Sequence, residues 1–124
     1  MSFRKYVVLA AVLAASMLPA SGASAGYLSG WDLLEICKSN PASPLYRQQV
    51  AQCMGYVIGI SDTFSCSEKL HGFNWSNTTA ADQREVVKAA VDWLSSHPTL
   101  LDYKSDGLVA AALADSYPCR LASQ

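Results

Sequence analysis

Four cysteines, Cys37, Cys53, Cys66 and Cys119, constrain this chain more than any other feature, because all four fall after residue 25 and none is paired in a Cys-x-x-Cys motif. An even number of cysteines in an exported domain reads as two disulfides. Export is read from the N-terminus, where Arg4 and Lys5 precede the apolar run from Tyr6 to Leu18, and Ala23-Ser24-Ala25 supplies the small residues of a cleavage site. That run is shorter than the roughly 20 residues needed to span a bilayer. Residues 1–25 therefore read as a cleaved signal peptide, and residues 26–124 as a single domain. Zinc is the competing use for the cysteines, but His71 and His97 sit at no ligand spacing, so no metal and no cofactor is expected.

Charge narrows the partner class. Without Arg4 and Lys5 the nine basic residues fall to seven against ten acidic ones, a formal charge of minus three spread in ones and twos. No basic stripe exists to bind nucleic acid or an anionic membrane surface. After signal cleavage neither is expected as a partner.

Local signals predict helices throughout. Ser29 and Asp32 have the spacing of a capping box, which starts a first helix that should end near Ser39-Asn40-Pro41. Ser43-Pro44 restarts the chain with a cap and a proline at the first helical position. In the second helix Tyr46, Val50, Cys53, Val57, Ile60 and Phe64 share one face, with Gly55 and Gly59 on a neighbouring face, where missing side chains would allow close helix packing. A third helix is expected to open at Thr79, with Asp82 three residues on, and to bury Val86, Val87, Ala90, Val91 and Leu94 until Ser96-His97-Pro98 ends it. A fourth runs from about Lys104 to Tyr117 on Leu108, Val109, Ala112 and Leu113. Runs of alternating β-branched residues are absent, so the fold class is all-α, a small disulfide-stapled bundle of four to five helices.

A continuous helix over 44–66 would select the disulfide pairing. It places Cys53 and Cys66 about 19 Å apart, beyond the approximately 7 Å limit for bonded Cα atoms. Cys37 lies seven residues before Pro44 and reaches about 24 Å, short of Cys66 about 33 Å along the helix. Cys37–Cys53 and Cys66–Cys119 remain.

Between the second and third helices the periodicity lapses, and Leu70-His71-Gly72-Phe73-Asn74-Trp75-Ser76-Asn77 mixes glycine, polar and aromatic residues as a surface loop does. Phe73, Asn74 and Trp75 are the candidate partner-binding residues; the alternative is that Phe73 and Trp75 tuck the loop onto the core. Catalytic machinery is not evident. Gly59-Ile60-Ser61-Asp62 lacks the second glycine of a nucleophile elbow, His97 sits where histidine caps carbonyls, and Asp62 reads as a hydrogen-bonded structural carboxylate in the apolar helix. No catalytic residue is assigned.

The stretch Cys53-Met54-Gly55-Tyr56-Val57-Ile58-Gly59-Ile60-Ser61-Asp62 resembles the Cys-x-Gly-Tyr-x-x-Gly-x-x-Asp signature of the Rap/Tai-type immunity proteins. Val86-Val87 through Trp93-Leu94, His97-Pro98, Leu108-Val109, Ala111-Ala112-Leu113 and Pro118-Cys119 continue that family's pattern in order and spacing. The central loop departs from it, with Ser67 where relatives often have proline, which leaves the identity of the target open, and no contact residue is carried over because no matched motif position is a known contact. The resemblance implies a periplasmic, all-helical, disulfide-bonded protein, often a homodimer, that binds a peptidoglycan amidase effector of type VI secretion and blocks its active site. A chaperone-like periplasmic binding protein of the acid-stress type and a small secreted enzyme are the competing functions.

Overall fold

The structure, a computed structural model, describes residues 27–120 except Asn77 and Thr79. The segment read as a signal peptide lies outside the described residues. Among the described residues four α-helices follow in order: α1 (Gly30–Cys37), α2 (Tyr46–Thr63), α3 (Gln83–Ser96) and, after a 3₁₀ turn at Pro98–Leu100, α4 (Ser105–Ser116). No strand occurs among the described residues, and the fold is a small all-α bundle.

Each helix start has a local cause. Ser29 Oγ accepts from the Asp32 amide at 3.2 Å and the Asp32 carboxylate accepts from the Ser29 amide at 2.8 Å, so the expected capping box forms. Those hydrogen bonds from Ser29 hold the Asp32 carboxyl below its ordinary range. Ser43 Oγ accepts from the Leu45 amide, but the turn it caps precedes the regular helix, which begins at Tyr46. Asp82 is itself the cap of α3, accepting from the Arg84 amide at 2.7 Å, which corrects the expected start at Thr79, a residue outside the described set.

The apolar faces meet around α4. Leu108, Val109, Ala110, Ala112 and Leu113 are all buried there, a helix apolar almost all round and hence central. It packs against α3, α2 and α1, with Val86, Ala90 and Leu94 of α3, Val57 of α2 and Leu33 of α1 completing the core. On α2 the buried positions are Cys53, Val57 and Ser61, while Tyr46, Val50 and Ile60, and Phe64 just beyond the helix, are only partly covered. Asp62, one step round from Ser61, is exposed, so it is not the structural carboxylate of an apolar face.

Both expected disulfides form, Cys37–Cys53 and Cys66–Cys119, with Cα atoms 5.1 and 5.7 Å apart. The helix used to select them is shorter than expected. Thr63 Oγ1 donates back to the Gly59 carbonyl at 2.6 Å, and Phe64 turns extended to set its ring edge-on against Trp75 at 6.0 Å. Cys66 therefore lies beyond α2.

The close-packing glycine is Gly30, not Gly55 or Gly59. A Cβ on Gly55 or Gly59 would meet nothing within 4 Å, whereas one on Gly30 would stand 2.5 Å from Leu108 Cδ1 and 2.9 Å from the Leu101 backbone. Gly30 is drawn in because its amide donates to the Tyr103 carbonyl at 3.0 Å and the Trp31 amide to the Leu101 carbonyl at 3.1 Å. Opposite outcomes are expected from one substitution. Gly30→Ala should destabilise by about 1–3 kcal/mol through overpacking, and Gly55→Ala should stabilise by up to about 1 kcal/mol through helix propensity. Urea midpoints of the two variants check both signs.

Candidate functional site

The loop after α2 is a strap built from four attachments. Trp75 is fully buried and its indole N–H donates to the Ser61 carbonyl at 3.2 Å, satisfying one of the carbonyls left free at the end of α2. The buried hydroxyls of Ser61 and Thr78 are hydrogen-bonded to each other. Asn74 Nδ2 donates to the Cys66 carbonyl at 3.0 Å, and the Ser76 amide to the Tyr117 carbonyl at 2.7 Å. Of the three candidate contact residues, Trp75 is thus corrected to a core residue, and the Asn74 amide is engaged inside its own loop. Phe73 alone is presented, 41 % exposed.

Phe73 is held out by a tight turn. Leu70 and Phe73 exchange two backbone hydrogen bonds of 2.9 Å across His71 and Gly72, both at positive φ, the combination that defines a type I′ turn. His71 Nε2 donates to the Asp106 carboxylate at 2.7 Å, tying the turn to the first turn of α4. Nothing in the local pattern around His71 announces a partner 35 residues away, and sequence reasoning missed this pair.

Beside the turn runs an open groove of about 710 Å³. Phe73 and Tyr103 stand at it, Leu108, Ala111 and Ala114 of α4 line it, and Trp93 stacked on His97 at 3.9 Å adds a further aromatic face. Tyr103 is 66 % exposed, so two large rings of this region reach solvent. Lys104 and Asp115 contribute one charge of each sign.

His97 is placed for structure. His97 Nδ1 lies 2.7 Å from the Trp93 carbonyl, which only accepts, so Nδ1 carries the proton and is not a base for Ser96 although Ser96 Oγ is 3.1 Å away. Ser96 Oγ itself donates to the same carbonyl. The pair caps the end of α3. Ser105 Oγ donates to the Leu28 carbonyl at 2.8 Å and receives the Tyr56 hydroxyl proton at 2.6 Å. Burial pushes the Tyr56 phenol up, and the Asp106 carboxylate adds to that against the Ser105 hydrogen bond.

Asp106 is held below the ordinary carboxylate range, chiefly by the hydrogen bond from His71, which outweighs partial burial, with the Gly107 amide adding to it. A depressed carboxyl contributes stability above its unfolded pKa and loses it as pH falls through the folded value. The turn's attachment is therefore expected to persist at about pH 5 and to open only below the ordinary aspartate value of about 3.9. Carbon-detected NMR of the Asp106 carboxyl checks this; titration above the ordinary value would contradict it.

The site is thus a strapped turn that exposes Phe73 beside a mostly apolar groove on a disulfide-stapled helical scaffold. A family model for Rap1a immunity proteins matches residues 29–119, and the chain belongs to that family. No curated protein matches it. Membership implies immunity against a secreted effector through binding of that effector protein, by a family that is generally non-enzymatic. The two disulfides fit an exported protein, and no helix among the described residues is long and apolar enough to cross a membrane.

Proposed function

We propose that the protein is a periplasmic immunity protein that binds a peptidoglycan amidase effector of type VI secretion and occludes its active site, with Phe73 as an anchor. The match to Rap1a immunity proteins, extending from the α1 cap at Ser29 to the last cysteine, carries the reading. Phe73 supports the placement of the contact, since tight interfaces concentrate affinity in a few aromatic anchors in or beside pockets. Residues 1–25 would direct export, and the oxidised staples suit a compartment in which a hydrolase attacks the cell wall. Occlusion requires no turnover by the inhibitor.

Calorimetric titration of the oxidised domain into the amidase encoded beside its gene tests this. Tight stoichiometric binding is expected, weakened by Phe73→Ala by about 1–2 kcal/mol, or roughly tenfold in Kd. Phe73 lies outside the buried core at 41 % exposed, so the variant should unfold close to the wild-type midpoint and stay folded under the titration conditions. Undiminished affinity in Phe73→Ala would move the contact elsewhere on the domain, and absence of wild-type binding to every neighbouring hydrolase would end the amidase reading.

A further inference from the structure

The turn that presents Phe73 uses a backbone conformation that few side-chain-bearing residues adopt. Gly72 adopts φ 87° freely, but His71 at φ 51° is a side-chain-bearing residue in the left-handed region. Such a residue persists only where its surroundings over-determine it, and such positions cluster where function uses the fixed geometry. Here the surroundings are the two backbone hydrogen bonds between Leu70 and Phe73 and the 2.7 Å contact from His71 Nε2 to Asp106. Gly107 leaves space beside the imidazole, since even a Cβ there would stand 3.7 Å from His71 Cδ2. Asp106 sits on α4, the most buried helix of the bundle, so the turn is referenced to the rigid part of the molecule.

The pair is poorly placed to stabilise the fold as a whole. Its side chains are 52 % and 36 % exposed, and exposed ion pairs contribute little to global stability. Building on the proposed role of Phe73 as an effector anchor, we infer that His71 and Asp106 are positioning residues that fix the Phe73 turn in its docking geometry before the effector arrives. A pre-set turn loses little conformational entropy on docking, and the benefit appears in affinity and not in folding stability.

Two measurements on the oxidised protein test this. The first needs no partner: hydrogen exchange at the Leu70 and Phe73 amides should quicken about tenfold in Asp106→Ala, while the amides of α1, α2 and α3, which Asp106 does not touch, follow only the global unfolding of the variant. Asp106→Asn, whose amide oxygen still accepts from Nε2, should restore much of the protection. Turn exchange unchanged in Asp106→Ala overturns the inference. In the second, Asp106→Ala should weaken binding to the neighbouring amidase about tenfold, and should add almost nothing in a Phe73→Ala background, because both act through one contact. Losses that add in full, or wild-type affinity in Asp106→Ala, overturn the positioning role alone. Failure of the wild-type protein to bind overturns the anchor reading itself, and the docking role of the pair falls with it.

Discussion

Replacing Trp75 by alanine is expected to destabilise the domain by about 3–5 kcal/mol, the range for deleting a large buried aromatic side chain. Two losses combine. The indole is fully buried and meets the Phe64 ring edge-on, so its removal opens a cavity between the strap and α2. Its N–H also serves the Ser61 carbonyl, which is left without that donor. Trp75→Phe separates the terms, because it retains most of the volume but not the donor, and a buried acceptor stripped of its partner costs about 1–3 kcal/mol. Urea unfolding followed by far-ultraviolet circular dichroism measures both. A Trp75→Ala change below about 1 kcal/mol, the scale of an ordinary surface substitution, would be incompatible with the buried placement.

Removing the Cys66–Cys119 bridge as a double serine variant should cost about 4 kcal/mol in chain-entropy terms, and removing Cys37–Cys53 about 3 kcal/mol. The difference follows from sequence separations of 53 and 16 residues. Since small domains have net stabilities of about 5–15 kcal/mol, losing both bridges removes much of the margin. The longer bridge also joins the strap carrying Phe73 to the segment after α4. Reduced protein should therefore melt well below oxidised protein, with the Cys66/Cys119 variant the less stable of the two double variants. Equal midpoints for oxidised and fully reduced protein would show that the bridges do not carry the fold.

What could be read before the structure was whatever depends on neighbours in sequence. The Ser29–Asp32 box, the apolar stripes of α3 and α4 and the capping role of His97 are all set within one or two helical turns. The disulfide pairing was legible as well, though from a helix drawn too long. With α2 ending at Thr63, three further residues could have carried Cys66 part of the way back; the extended Phe64, packed on Trp75, takes the chain elsewhere. Gly55 and Gly59 match a local packing pattern and face open space, while Gly30 is essential through Leu101 and Leu108, more than 70 residues away. Within the candidate site, Phe73 was visible as a loop aromatic. Trp75 has the same character in sequence, and contacts 11 and 14 residues distant, the Phe64 ring and the Ser61 carbonyl, go with its place in the core.

Inhibition is the most direct test of the account. Purified oxidised domain is titrated into peptidoglycan digestion by the amidase encoded beside its gene. Hydrolysis should fall linearly to zero near equimolar inhibitor, and the fully reduced domain should be a much weaker inhibitor. Digestion that continues at full rate with the oxidised domain in large excess would contradict the claim that this stapled bundle neutralises such an enzyme by binding it.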